Sequence, residues 1–141
     1  MASANLEFVR SIYVAWERGD FSSAEWMDPD IEWVIPDGPA PDRWEGPAEM
    51  AHAMGDVLSA WEDFHFVAEE YRELDNERIL VLDRNSGRGK TSGLEIGQTR
   101  AEGAQLFHIR GGKVIRLLSY WDRERALTDL GLTSEAGSVR S

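Results

Sequence analysis

Phe107–Leu132 reads FHIRGGKVIRLLSYWDRERALTDLGL. Apolar and polar residues alternate from Phe107 to Arg110, and a second β-rich run extends from Val114 to Trp121. Gly111-Gly112 between them suits the tight turn of an antiparallel hairpin, because glycine takes positive φ without a steric penalty. Asp122 then offers an N-cap for a short helix, Arg123 to Leu130, which Gly131 closes.

Upstream, the same alternation marks strands from Phe64 to Glu73, Arg78 to Gly87 and Glu95 to Arg110, with Asp75-Asn76 as a further turn. Helical periodicity governs the first part of the chain. Leu6, Val9, Ile12, Tyr13 and Trp16 form the apolar stripe of a helix over Asn5 to Arg18, stopped by Gly19-Asp20. Phe21 to Met27 reads as a second, short helix that Ser22 or Ser23 could cap, and Ile31 to Ile35 as the first strand. Pro36, Pro39 and Pro41 predict a stiff loop ending near Trp44. Gly46-Pro47 opens a third helix with the stripe Met50, Met54, Val57, Leu58 and Trp61.

Helices followed by a strand meander imply an α+β fold, in which a curved antiparallel sheet wraps around the N-terminal helices as a cone. Such a cone is expected to leave a mostly apolar pocket for a small molecule. With 141 residues the chain suits one domain, placed at 1–132, with 133–141 as a flexible tail.

The balance of 15 Lys+Arg against 26 Asp+Glu, net −11, argues against nucleic acid as a partner, since that binding needs cationic neutralisation. The absence of cysteine excludes disulfides and thiolate chemistry. The opening MASANLEFVRSIYVAWERGD has neither a basic region before an apolar run nor a spanning segment, so a cytoplasmic location and no membrane contact are the expectation. Gly87-Arg88-Gly89-Lys90-Thr91 echoes a phosphate-binding loop, but Arg84 stands where that pattern needs glycine and a strand follows where it needs a helix.

The element order and several stretches resemble the nuclear transport factor 2-like superfamily, in its SnoaL-like and ketosteroid-isomerase-like branch. The stretches are ERGDF, DPDIEW, WEGPAEM, SGRGKTSGLEIGQ and the quoted C-terminal segment. The resemblance implies a cystatin-like α+β barrel, a homodimer through the outer sheet face, and a small apolar ligand. It implies proton-transfer chemistry such as isomerisation or polyketide-cyclase-like aldol closure on a carbonyl compound. Alternatives are a non-catalytic binding module and an epoxide hydrolase-like or dehydratase-like enzyme. A steroid isomerase is disfavoured: Ile12 stands at the expected tyrosine, with Tyr13 one step off, and Ile35 at the expected base.

Four polar residues are candidates for chemistry. Glu102, near the isomerases' late-strand carboxyl, would be desolvated if Gln98, Arg100, Glu102, Ala104, Leu106 and His108 face the cone. Asp37 follows the first strand at the presumed mouth. Arg84 could pair with Glu102, or with Asp37 or Asp83 in the Asp-Arg-Asp manner of limonene-type epoxide hydrolases. His108 could add a polar contact near Tyr120. Tyr13, Trp16, Trp33, Trp61 and Tyr120 are expected to wall the ligand, and the resemblance implies Trp121 as well, since it aligns with a pocket tryptophan of the isomerases. No cofactor is implied, and no metal, since no second His or acid stands at ligand spacing from His108.

Overall fold

The computed structural model describes residues 4–18, 25–37, 42–59, 61–89 and 98–132, with 57–59, 61–66, 85–89 and 98–101 described by their backbone alone. The elements run α1 (Ala4–Glu17), β1 (Met27–Ile35), β2 (Asp42–Glu45), α2 (Pro47–Ser59), β3 (Trp61–Glu73), β4 (Arg78–Gly89), β5 (Gln98–Arg110), β6 (Lys113–Tyr120) and α3 (Arg123–Asp129).

The strands form one sheet in the order β2-β1-β6-β5-β4-β3. All neighbours are antiparallel except β1 and β6, which are parallel, so the sheet is mixed rather than wholly antiparallel as expected. That pairing places the first strand beside the last and leaves the short β2 at one edge and β3 at the other. Helix α2 packs against β1 and β2 at one edge and against β3 at the other. Helix α1 packs on β3 and β4, and both helices share one apolar cluster with the inner face of β1, β4, β5 and β6, so the sheet curves around them as the order of elements leads one to expect.

β4, β5 and β6 carry apolar residues on both faces. On the concave face Ile31, Trp33, Ile79, Val81, Phe107, Ile109, Val114 and Leu117 pack with Val9, Ile12, Tyr13 and Trp16 of α1 and Met50 and Ala53 of α2. On the convex face Leu80, Leu82, Ala104, Leu106 and Tyr120 pack under Ala126 and Leu127 of α3. Phe107 and Ile109 therefore face inward, away from the outer sheet face through which a dimer is expected. Leu118 does lie on the outer side, partly covered by the α3 cluster.

Local signals account for the element ends. Pro47 opens α2, and Glu49 Oε1 in its first turn reaches back to accept the Glu45 N–H at 3.0 Å. Asp122 caps α3 by accepting the Glu124 N–H at 3.0 Å. Two expectations change. Asp42–Glu45, read as part of a proline-rich loop, is a strand, because Trp33↔Trp44 pairing supplies ladder bonds and a ring contact with centroids 4.7 Å apart. The helix read over Phe21 to Met27 lies mostly outside the described residues, but Glu25 and Trp26 form a turn and Met27 already belongs to β1. The tail 133–141 lies outside them entirely.

Gly111 and Gly112 have φ of +61° and +76°, as the hairpin reading requires. Gly111→Val should therefore cost about 1–2 kcal/mol and Gly111→Asn distinctly less, measured by urea unfolding, since only the β-branched residue resists the left-handed region.

Candidate functional site

Alternation along ILVLDRN puts Ile79, Val81 and Asp83 on the concave face and Leu80, Leu82 and Arg84 on the convex one. Asp83 is thereby a carboxylate inside the cone, 0% exposed. Tyr13, at the centre of the α1 stripe, is also 0% exposed and donates its O–H to Asp83 Oδ2 at 2.8 Å. Around it stand the rings of Trp16, Tyr71 and Phe107, with centroids 5.1, 6.0 and 6.0 Å from that of Tyr13.

A line of polar groups extends from this pair across the inner face. Trp33 Nε1–H donates to Ser119 Oγ at 2.8 Å, and the Ser119 hydroxyl donates to Gln105 Oε1 at 2.5 Å. Gln105 lies opposite Ser119 across the β5–β6 ladder, and its side chain stands beside Asp83. Gly103, directly opposite Asp83 on β5, offers no side chain to intervene. Even so, Asp83 Oδ1 has no partner in hydrogen-bond geometry, an uncommon state for a buried polar atom.

Burial raises the Asp83 carboxyl to about 6 against an ordinary 3.8; the Tyr13 hydrogen bond, Gln105 and the positive charge of Arg123 oppose the rise. Tyr13 is pushed well above its usual value, first by burial and then by Asp83, so it remains a proton donor at neutral pH. Arg123, at the start of α3, approaches from the other side of the sheet. Its guanidinium donates to the Asp83 backbone carbonyl at 2.8 Å and to Glu69 Oε1 at 2.6 Å, tying α3 to β3 and β4.

The residues singled out from sequence fall into three groups. Tyr13, Trp16 and Trp33 lie in the inner core, and Trp121 packs partly buried against it. Glu102, Arg84 and His108 sit on the convex face: Glu102 is exposed, Arg84 pairs with Glu69 at 2.6 Å, and His108 pairs with Glu77 at 2.9 Å. Neither the desolvated Glu102 nor the Asp-Arg-Asp arrangement is formed, because one residue of alternation separates the two faces. Tyr120 is likewise on the convex side, where it donates to Asp129 Oδ2 at 3.1 Å; burial and this partner raise it to about 12. The side chain of Trp61 lies outside the described residues.

Asp37 has a different task. Both of its carboxylate oxygens accept backbone N–H groups, from Trp121 at 2.8 Å and Asp122 at 3.1 Å, so the end of β1 is fastened where β6 passes into α3. Asp83 was legible only as a neighbour of Arg84. In a strand apolar on both faces, periodicity cannot say which polar residue points in.

Asp83, Tyr13, Val81 and Phe107 are each 0% exposed, so this part of the inner face is closely packed. A cavity of about 220 Å³ lies along α1, lined by Phe8, Ser11, Ile12, Ala15, Trp16, Glu25 and Trp26. Among the described residues no group of three His, Asp or Glu side chains converges as a metal would require, and no helix is long and apolar enough to cross a membrane.

Comparison with known proteins is consistent with this architecture. The sequence model of the SnoaL-like domain matches residues 9–117. A comparison with curated proteins finds no match. An NTF2-like protein of unknown function from Burkholderia pseudomallei superposes with a TM-score of 0.74 at 20% identity, covering 90% of this chain and 97% of that one. A putative SnoaL-like polyketide cyclase from Jannaschia superposes at 0.71 and 16% identity, over 91% and 94%. TerC, co-crystallised with polyporic acid, superposes at 0.71 and 22% identity, over 91% and 98%.

Two measurements test the geometry. A raised acid favours its protonated form in the fold, so Asp83 should stabilise the protein fully below about pH 4 and lose that contribution as pH rises through about 6. Relative to Asp83→Asn, the wild type should thus be about 2 kcal/mol more stable at pH 4 than the same comparison gives at pH 7. Glu69, Asp75 and Glu77, all held below their ordinary values by hydrogen bonds, act in the opposite sense and cancel in that difference. Asp37→Ala, which leaves two backbone donors unanswered, should cost about 2 kcal/mol in chemical unfolding, and Asp37→Asn should recover part of it.

Proposed function

Since the chain belongs to the SnoaL-like domain family of the NTF2-like superfamily, we propose that it acts on a small apolar carbonyl compound, with Asp83 exchanging a proton in an isomerisation or aldol-type closure. The observation that carries this reading is a wholly buried carboxyl with one oxygen held by Tyr13 and the other unpartnered. A group titrating near 6 is mostly ionised at neutral pH yet gives its proton back readily, which is what a base that must also act as an acid needs.

In such a step Oδ1 takes a proton from the carbon next to the substrate carbonyl, and the electron pair moves onto the carbonyl oxygen as an enolate. With its own Oε1 taken by Ser119, Gln105 has only its amide N–H groups, which lie beside Asp83, to turn to that oxygen. The enolate then either recovers the proton at another carbon or attacks a second carbonyl, whose alkoxide receives it. Tyr13 stays protonated throughout and holds Oδ2 in place. For a ligand to reach Oδ1, the side chains packed over it must give way.

The names of two similar structures, a putative polyketide cyclase and a protein co-crystallised with polyporic acid, support an oxygenated, flat ligand. The close packing around Asp83 favours a second reading, a non-catalytic member that uses the same fold for binding or as a scaffold. Deuterium exchange separates them. A panel of cyclic enones and aryl 1,3-diketones in heavy water should show wild-type-catalysed loss of the α-proton, reduced about a hundredfold or more in Asp83→Asn. Glu102→Gln should exchange like the wild type. Binding without exchange, or exchange untouched by Asp83→Asn, would assign the second reading.

A further inference from the structure

The cavity along α1 belongs to neither reading of the interior. Its floor is one stripe of the helix, Phe8, Ser11, Ile12 and Ala15, at the i, i+3, i+4 and i+7 spacing that brings residues onto one side. Ala15 leaves that floor low where a larger side chain would fill it. Trp16 and Trp26 supply adjoining walls: their ring centroids are 5.9 Å apart and their planes meet at 75°, which makes an aromatic corner. The indole of Trp16 is shared with the inner core, where its centroid lies 6.1 Å from that of Phe107, so the corner is held rigidly from behind.

The polar groups of the lining set the character of an occupant. Ser11 gives its hydroxyl proton to the Phe8 carbonyl at 2.6 Å, so its oxygen faces a ligand as an acceptor only. Glu25 is exposed and lines the cavity. The Lys113 ammonium is held on the main-chain carbonyl of Glu25, and its carboxylate has no ion-pair partner among the described residues. Two aromatic walls, an acceptor hydroxyl, a carboxylate and a net charge of −11 all favour a donor-bearing cation over a neutral or anionic guest.

We propose that this recess binds a small primary alkylammonium ion, the alkyl chain on Phe8, Ile12 and Ala15 and the ammonium between the indole corner, Ser11 and Glu25. The site is independent of Asp83. The probes are n-butylammonium, 1-butanol and butyrate, titrated into the full-length chain at constant ionic strength. Binding is followed by indole fluorescence and by the amide and indole shifts in nitrogen-correlated spectra. Butylammonium should give saturable shifts centred on Phe8, Ser11, Ala15, Trp16 and Trp26, and should bind about fivefold or more tightly than 1-butanol, with butyrate weaker still. Ala15→Leu, which fills the recess, should abolish binding, and Glu25→Gln should weaken it about threefold or more. Asp83→Asn should leave it unchanged, so a failure here is distinguishable from a failure of the interior site. The proposal is overturned if 1-butanol or butyrate binds as well as the ammonium, or if the folded Ala15→Leu protein, checked by circular dichroism, still binds. It is equally overturned if the shifts map elsewhere.

Discussion

The hydrogen bond from Tyr13 to Asp83 joins side chains 70 residues apart in the centre of the molecule, and it sets how the first helix must lie on the sheet. A carboxylate withdrawn from water is costly unless it is neutralised or hydrogen-bonded. Tyr13 supplies one such bond, and the cost of leaving it unmade penalises any rotation or slide of α1 that would take the hydroxyl away. The rest of the α1 stripe, Val9, Ile12 and Trp16, is then aligned with the concave face as a consequence of the same helical turn. The remaining unpartnered oxygen costs stability, since an apolar residue at position 83 would leave no buried polar atom unsatisfied.

The sheet is covered on both sides, and its two faces do different work. The concave face holds the aromatic core, with its polar line from Trp33 through Ser119 and Gln105 towards Asp83. The convex face holds a smaller apolar cluster under α3, surrounded by charge pairs such as Arg116 and Arg43 on Glu32. Two contacts connect the faces. Asp37 fastens β1 to the junction of β6 and α3, and Arg123 reaches from α3 to the backbone of the strand that carries Asp83. The short C-terminal helix is therefore tied to the geometry of the buried carboxyl as well as covering apolar surface.

Functional readings separate along the same division. The interior offers a buried carboxyl in an apolar, closely packed setting, whereas the recess on α1 offers room, aromatic walls and acceptors. Trp16 is common to both, buried in one and forming a wall of the other.

Much of the fold was legible because the signals were local. The helical stripe of α1, proline at the start of α2, the Gly111-Gly112 turn and the Asp122 cap each depend on neighbours a few residues away, and they delimit elements whatever the rest of the chain does. Tyr13, Trp16 and Trp33 lie in the inner core, whereas the strand of Tyr120 alternates in phase with the convex cluster. What only the tertiary structure decided was which face of each strand looks inward, the parallel pairing of β1 with β6, and the conversion of Asp42–Glu45 from loop to strand. The physical reason is common to all three. Strands with apolar residues on both sides carry no internal mark of orientation, so long-range register, and not composition, put Asp83 in the core and left Glu102, Arg84 and His108 outside.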